Sequence, residues 1–447
     1  MVIEKSISEF LSNEYKEFAM YSIEGRAIPS VIDGFKPTQR KVMHISNQVW
    51  KTGSEKSLKV FQLSGKVASD CYYHHGDTSL SNAIVNIAQK FKNNAPLLES
   101  IGQFGSLRSP QASAARYIET KLSDNFRLLY KDFELLDYKE EEGEVIEPKF
   151  FLPVIPTVLI NGGSGIAVGF VSNILNRNVK DIIDSCIKVL SGKSATEVYP
   201  CLNGFNGTYT LDPENNKRWI IRGKFERVNT TTVRVTELPP SMTYEKYEEI
   251  LDKLVEKKDI VTYDDNCKDS VNYVVKFTRG DLEKYDDDRI FSLLKLEEAQ
   301  TEIYSTLDEK GKLKIFESTS EIIEYFTGFR LVYYSKRKEF MLGKLNHELK
   351  ILSNRGRFIK AILDEKLKVN NVAKHQIILE VEKMGLEKIE DSYDYLLRMP
   401  IYSLTMELFN KLKDDFKAKK VEIEVLKDTD PKDMYLLDLS ELKKKFK

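Results

Sequence analysis

This chain holds thirteen prolines, and none lies between Pro240 and Pro400. Proline deletes a helical hydrogen bond and clashes with the turn before it, so the interval has room for helices of unusual length. Inside it Leu345, Leu352 and Ile359 recur at heptad spacing. Leu342, Leu349 and Leu363 hold the interleaved position, with Gly356 filling one place. This pattern predicts a coiled-coil seam rather than the broader apolar face of a globular helix. Past Pro400, LTMELFNKLKDDFKAKKVEIEVLK offers a second helical stretch that can run back antiparallel to the first.

The N-terminal part reads differently. Short helical patterns are separated by Gly and Pro: Pro37 opens TQRKVMHISNQVW, and KVFQLSGKVASDC follows. Asp77 is placed to cap TSLSNAIVNIAQKF, where Leu80, Ile84, Ile87 and Phe91 share a helical face. Three short helices in a row suit a helix-turn-helix or winged-helix unit. Beyond residue 150, FLPVIPTVLINGGSGIAVGF mixes β-branched runs with Gly and Pro, and TTTVRVTELP and VNYVVKF read as strands. At 447 residues, two to four domains are expected from length alone. The textures divide the chain at 1–150, 151–315 and 316–447, an α+β multidomain organisation.

Charge narrows the function. From Arg26 to Tyr130 there are 14 Lys+Arg and 7 Asp+Glu, in a chain whose net charge is −1, so the remainder carries −8. A basic segment in a neutral protein is the footprint of localised phosphate contact, although a solvated basic face gives the same count. Cys71, Cys186, Cys201 and Cys267 show no paired spacing, which argues against a disulfide framework or a zinc site. No signal-peptide pattern and no membrane-spanning apolar run is present. A cytoplasmic location without membrane partners is expected.

Chemistry concentrates in SPQASAARYIETKLS. A phenol is a poor nucleophile at neutral pH without help, and Arg116 places a permanent cation beside Tyr117. That cation can favour a phenolate or neutralise charge growing on an attacked phosphate. The chain has 22 tyrosines, however, and adjacency to an arginine does not single one out. His74 and His75 diverge as neighbours on one element and lack an accompanying Cys or carboxylate cluster, so no metal is assigned. The acidic runs Asp264–Asp265 and Asp286–Asp288 read as solvated loops, and the terminal KKKFK as a solvated tail.

Several longer motifs decide between these readings. YSIEGRAIPSVIDGFKPTQRKV, YYHHGDTSLSNAIVNIAQKF, SIGQFGS and SAARYIETKLS stand in the order and spacing of the breakage domain of type IIA DNA topoisomerases, which they resemble. VIPTVLINGGSGIAVGF and YDYLLRMPIYSLT extend the resemblance over nearly the whole chain. The wording is closer to the breakage half of eukaryotic topoisomerase II and to the medium subunit of T-even-like bacteriophage enzymes than to bacterial gyrase.

The resemblance implies a winged-helix DNA-breakage domain, an α/β tower domain, and a long antiparallel coiled coil with a small helical exit-gate domain. It implies that Tyr117 attacks a DNA phosphate to form a 5′-phosphotyrosyl ester and that Arg116 stabilises the transition state. Arg26 then reaches the scissile phosphate, and His75 organises the nucleophile. Lys36, Arg40, Lys41, His74 and Thr78 match DNA-contacting positions, although surface charge is the plain alternative for the cations. Ile166 matches an intercalating wedge, although composition suits a core strand. Asn82 departs from the acidic residue that bacterial relatives carry near Thr78, which puts quinolone sensitivity in doubt.

Neither a nucleotide-binding glycine loop nor an EGDSA-plus-DxD carboxylate signature is found in the chain. The resemblance therefore implies a homodimer on double-stranded DNA, with a separate large subunit bringing the ATPase and the Mg²⁺ module. ATP and Mg²⁺ are both expected on that partner. Relaxation or decatenation is expected, in the host bacterial cytoplasm if the chain is phage-encoded. A non-cleaving, DNA-bending dimer of the same fold is the alternative. A tyrosine recombinase would need its tyrosine near the C-terminus within an Arg…His-x-x-Arg set, which this sequence lacks.

Overall fold

The computed structural model describes residues 6–446 apart from Ser54, Asp269, Ile401 and Ser403. Two of these, Ile401 and Ser403, fall in the YDYLLRMPIYSLT motif, and Lys447 of the KKKFK end also lies outside the described residues. The chain forms two compact units: residues 6–330 with 438–446, and residues 331–437.

In the first unit, α1 (Ile7–Ser12) and α2 (Glu14–Ser22) lead into a single π-helical turn, Ile23–Ala27. Helix α3 (Pro37–Val49) starts at the expected proline, whose missing N–H costs nothing in a first turn. Strand β1 (Leu58–Lys59), α4 (Val60–Asp70) and α5 (Asp77–Ala88) follow, then β2 (Leu98–Ile101) and β3 (Glu119–Leu122). The three strands form an antiparallel sheet in the order β1–β3–β2. Asp77 lies in the first turn of α5, and Gly76 takes the capping position expected of it. Phe91 falls outside the helix, because Gln89 turns extended at its end and its side-chain amide donates to the Phe104 carbonyl at 2.7 Å.

Short elements close this layer: α6 (Asp124–Leu129), β4 (Tyr130–Lys131), the hairpin β5 (Tyr138–Glu141) with β6 (Glu144–Pro148), and β7 (Leu152–Pro153) paired to β4. A second hairpin joins β8 (Gly163–Ala167) to β9 (Phe170–Ile174). Its turn has positive φ at Val168 and Gly169, the geometry of a tight two-residue connection.

The rest of the unit alternates helix and strand. It runs through α7 (Val179–Leu190), β10 (Thr208–Asp212), β11 (Asn215–Arg222), β12 (Lys224–Asn229), β13 (Thr232–Glu237), α8 (Tyr244–Glu256), β14 (Thr262–Asp265) and β15 (Tyr273–Lys276). It continues with α9 (Asp287–Leu293), β16 (Glu297–Thr301), β17 (Tyr304–Leu307) and β18 (Leu313–Phe316). The β12–β13–β15–β14 sheet buries Val233, Val235, Tyr273 and Val275 against Tyr247 and Leu251 of α8. The acidic runs are structured after all. Asp264 and Asp265 end β14, and Asp286 caps α9 by accepting from the Arg289 N–H at 2.7 Å. Asp287 pairs with Arg227 and Asp288 with Arg222, each at 2.9 Å.

Helix α10 (Thr319–Leu363) begins well before the heptad seam. Its start is fixed from a distance: the Glu197 carboxylate accepts from Thr319 N and Ser320 N, both at 3.1 Å, and from the Thr319 hydroxyl at 2.6 Å. In the second unit α10 is followed by α11 (Lys374–Lys383), α12 (Asp394–Leu397) and α13 (Met406–Asp428). Leu345 is buried with Ile423 and Leu426, while Leu342 and Leu349 pack beside them. Lys419 pairs with Glu348 at 3.0 Å, and Lys338 donates to the Lys427 carbonyl at 2.7 Å. Residue numbers rise on one helix as they fall on the other, so α13 runs antiparallel to α10. Further along, Phe358 and Ala361 pack with Val381, Tyr393 and Leu396 around α11 and α12. The KKKFK end is no free tail, because its lysines finish α14 (Pro431–Lys445) and Lys443 meets Asp184 at 2.5 Å.

One buried ion pair ties the first unit together. Arg177 and Glu302 are both fully buried, with Nη1 to Oε1 at 2.6 Å and Nη2 to Oε2 at 2.5 Å. Glu302 also accepts from Leu175 N, Trp219 Nε1 and the Tyr304 hydroxyl at 2.7–2.8 Å. Deleting one partner of such a pair strands a charge in the interior, at about 3–5 kcal/mol. Glu302→Ala should therefore lower the urea midpoint of the full chain by that equivalent, read by tryptophan fluorescence at Trp219. An unchanged midpoint would overturn the expected cost of stranding Arg177.

Candidate nucleic-acid interface

Tyr117 stands just ahead of β3 and is 72% exposed. Its neighbour Ile118 is buried, and the Ile118 carbonyl accepts from Val60 N at 3.0 Å while the Ala115 carbonyl accepts from Phe61 N at 3.1 Å. The first amides of α4 would otherwise lack partners, so the loop carrying Tyr117 and the helix start satisfy one another. The Arg116 guanidinium carbon lies 5.4 Å from the Tyr117 ring centroid. A groove of about 950 Å³ opens beside them. Thr78, Asn82, Asn86 and Lys92 line one wall and residues 110–116 the other. Thr78 is exposed at the start of α5. Asn82 adds a neutral amide to the same wall. Burial lowers the pKa of Lys92 from its ordinary value.

A second arginine contact forms at the π-helical turn. Arg26 Nη2 donates to His75 Nδ1 at 3.3 Å and also reaches the Tyr21 hydroxyl at 3.5 Å. Arg26 always donates, so Nδ1 is the acceptor and the imidazole is neutral in this contact. Burial, then the Arg26 and His74 charges, then Lys41, hold the His75 pKa below its ordinary 6.5. The adjacent His74 points elsewhere, with Nε2 3.2 Å from Glu141. Among the described residues no hydrogen bond joins the Arg26–His75 pair to Arg116 or Tyr117.

The three cations of DGFKPTQRK part company. Lys36 Nζ donates to the Ser164 carbonyl at 2.6 Å, and desolvation lowers its pKa. It thus braces the β8–β9 hairpin. Arg40, expected on DNA, is instead buried in a two-pronged pair with Asp33, at 2.7 and 3.0 Å. Lys41 is likewise occupied: its ammonium bonds the Cys71 carbonyl at 2.5 Å and Glu147 at 2.9 Å. Both placements have one cause. A buried carboxylate must find a cation, and Asp33 and Glu147 take these two. Sequence reading missed both acids, although Asp33 stands in the quoted DGF motif.

Ile166 is 80% exposed on β8, paired with Val171 across the hairpin. The core-strand reading fails, and a large apolar side chain projects into solvent. Next to it, Gly165 abuts the turn that carries Arg26, since a Cβ there would lie 1.9 Å from the Ala27 carbonyl oxygen.

Cations and amides dominate these positions, and among the described residues no group of three His, Cys, Asp or Glu side chains could hold a metal ion. The donor set does not fit Mg²⁺ by itself, nor does any described helix have the length and apolarity to cross a membrane.

Comparison with known proteins places this geometry. Residues 26–443 match the family model for the A subunit of DNA gyrase/topoisomerase IV. The chain is 33% identical to the DNA topoisomerase medium subunit of Enterobacteria phage T4, over 98% of this chain and 99% of that one. It is 32% identical to DNA topoisomerase 2 of Plasmodium falciparum over 98% of its length, and spans 34% of that longer protein. Among solved structures, the Plasmodium falciparum topoisomerase II DNA-binding, cleavage and re-ligation domain superposes with a TM-score of 0.87 at 32% identity, covering 98% of this chain and 64% of the other. By sequence and by mixed α/β multidomain fold, the chain belongs to the DNA gyrase/topoisomerase IV A-subunit family of type II DNA topoisomerases.

Proposed function

We propose that this chain is the DNA-cleaving and rejoining subunit of an ATP-dependent type II topoisomerase, with Tyr117 as its nucleophile. The observation that carries this reading is an exposed Tyr117 beside Arg116, itself a lining residue of the groove, in a chain matching the family from residue 26 to 443. The tyrosine oxygen attacks a backbone phosphorus, the P–O bond to the deoxyribose 3′ oxygen breaks, and the 5′ end stays on the protein. One phosphodiester replaces another, so the same exchange run backwards reseals the strand. Arg116 and Arg26 offset charge on the phosphate. In this reading α3, α4 and α5 with the β1–β3–β2 sheet are the winged-helix part of residues 1–150. Residues 151–315 form a tower, and residues 316–447 a coiled coil with an exit gate.

Two copies would cut opposite strands and let a second duplex through, relaxing or decatenating DNA in the host cytoplasm. Type II topoisomerases use Mg²⁺ and ATP. We assign both to a separate large subunit, which the name of the phage relative, a medium subunit, supports. DNA contacts fall to Thr78, His74 and Ile166, with Lys36, Arg40 and Lys41 shaping the surface from beneath. The alternative, a bending dimer that does not cut, makes no use of the Tyr117–Arg116 geometry.

Mixing the chain with its large partner, Mg²⁺ and DNA, then quenching with detergent, tests the nucleophile. Tyr117→Phe should abolish protein linked to 5′ ends, and equal adduct from both proteins would overturn the assignment. Ile166→Ala should reduce bending of a doubly labelled duplex and lower cleavage several-fold, because an apolar wedge offsets an unstacking cost of roughly a few kcal/mol. Bending equal to wild type would remove the wedge.

The pH response follows from His75. Its folded pKa is lowered, so the unfolded chain takes up this proton first as pH falls. The linked stability is whole above about 6.5 and is lost progressively below it. Protonation also turns the acceptor of Arg26 into a second cation. Cleavage by the folded protein should fall at a pH below 6.5, as the lowered folded pKa of His75 is passed, and His75→Gln should flatten the profile there. Identical profiles would exclude His75 from the pH response.

A further inference from the structure

The segment that delivers Tyr117 has an attachment outside the groove. Between Phe104 and Ile118 no residue is buried, so side-chain packing within the loop cannot fix its shape. Its form comes from the way it is folded back and from its ends. Ser113 N donates to the Gln103 carbonyl at 3.0 Å, and Ser106 N to the Ser109 carbonyl at 2.9 Å. Gly105, at φ +91°, makes this turn feasible, because a Cβ there would lie 2.5 Å from the Pro110 carbonyl oxygen. At the root, Phe104 is buried and held by Gln89 of the groove wall.

The tip reaches into a different layer. Leu107 packs against the core between the β12–β15 sheet and α8, and its carbonyl accepts from Tyr244 N, the first residue of α8, at 3.2 Å. Arg108 Nη1 donates to the Cys267 carbonyl at 2.9 Å, and Nη2 lies 3.9 Å from Asp265. Cys267 is itself held in place. Its N–H donates to Asp265 at 2.8 Å, and its sulfur accepts from Asn272 N at 3.1 Å. The receiving surface is therefore ordered without the plug.

We propose that Leu107 and Arg108 are positioning residues, a plug through which the β12–β15/α8 layer sets the placement of Tyr117. From Arg108 to Arg116 the chain runs through Ser109, Pro110, Gln111, Ala112, Ser113, Ala114 and Ala115, mostly small side chains. A shift of the layer under a bending duplex is passed along this exposed stretch to the nucleophile through its backbone ties, Ser113 N to the Gln103 carbonyl and Phe61 N to the Ala115 carbonyl. The plug couples DNA shape to cleavage, and it touches neither phosphate nor phenol.

The inference rests on Tyr117 being the nucleophile, and the test separates the two. In the isolated full chain, without DNA or partner, Arg108→Ala should speed amide hydrogen exchange over residues 109–117 about tenfold, the loss expected of one charge-assisted hydrogen bond. Exchange in α3 and α10 should stay at the wild-type rate. Arg108→Lys, which keeps a donor for the Cys267 carbonyl, should restore most of the protection. In the reconstituted enzyme Arg108→Ala and Leu107→Ser should lower the cleavage rate several-fold while leaving DNA affinity unchanged. Wild-type exchange over 109–117 in Arg108→Ala, or a wild-type cleavage rate in both variants, overturns the plug. Loss of Tyr117-dependent adduct in the wild-type enzyme would instead overturn the nucleophile reading, and leaves the exchange result standing as evidence of the anchor. If Leu107→Ser unfolds the sheet layer, Arg108→Ala decides alone, because Arg108 is exposed and contributes nothing to the core.

Discussion

The buried carboxylate of Asp33 organises the surface on which everything else is arranged. One oxygen accepts from Phe35 N at 3.1 Å and from Arg40 at 3.0 Å, and the other from Arg40 at 2.7 Å and from Phe151 N at 3.0 Å. Its backbone carbonyl accepts from the Tyr130 hydroxyl and from Thr157, at 2.9 and 2.8 Å. One residue thus joins the start of α3, the β4–β7 pair and the approach to the β8–β9 hairpin. Gly34 follows at φ +72° because a Cβ would lie 2.8 Å from Val158 N. Phe35, stacked on Tyr130 at 5.2 Å and edge-on to Phe151, shields the ion pair from water. With every lone pair engaged, the buried charge is tolerated.

That arrangement explains why a run of cations in sequence does not make a run of cations on the surface. Arg40 and Lys41 lie on the inward side of α3 and neutralise Asp33 and Glu147, while Lys36, at the helix start, crosses to the Ser164 carbonyl. Among the cations still exposed to a polyanion are Arg116 and the lysines Lys59, Lys66 and Lys90, while Arg26 sits beside the Tyr21 ring. Electrostatic attraction and structural neutralisation draw on the same residue types, and only burial tells them apart. The −1 net charge of the chain is compatible with this, because what a duplex meets is a local field.

Periodic features were legible in the sequence. The helices at Pro37, Val60 and Asp77, the strands at Thr232 and Tyr273, and the antiparallel partnership of α10 with α13 all rest on local patterns. What was not legible depends on partners remote in the chain. Glu197 fixes the start of α10, Gln89 ends α5 by bonding Phe104, and Asp184 captures a lysine of the terminal run. Ile166 illustrates the limit best. Alternation in SGIAVG suits a buried strand and a projecting hairpin equally, and only the backbone contact of Gly165 with Ala27 sets which side faces out. For Tyr117 the residues alone left 22 candidates, and ordered motifs, not local chemistry, selected one.

The same geometry limits what this chain does by itself. A phenol that attacks phosphorus must lose its proton, and among the described residues none hydrogen-bonds the Tyr117 hydroxyl. Arg116 lies against the ring and cannot accept a proton. The neutral imidazole that could accept one, His75, has its Nδ1 turned to Arg26. On the proposed assignment of Tyr117, its own surroundings supply position and the positive charge of Arg116, and no described hydrogen bond supplies the base. Under that assignment, a tyrosine that is exposed and without a resident base is held ready at little hydrolytic risk. Half-assembled sites of this kind suit a protein for which an unscheduled cut in a duplex is the most damaging error.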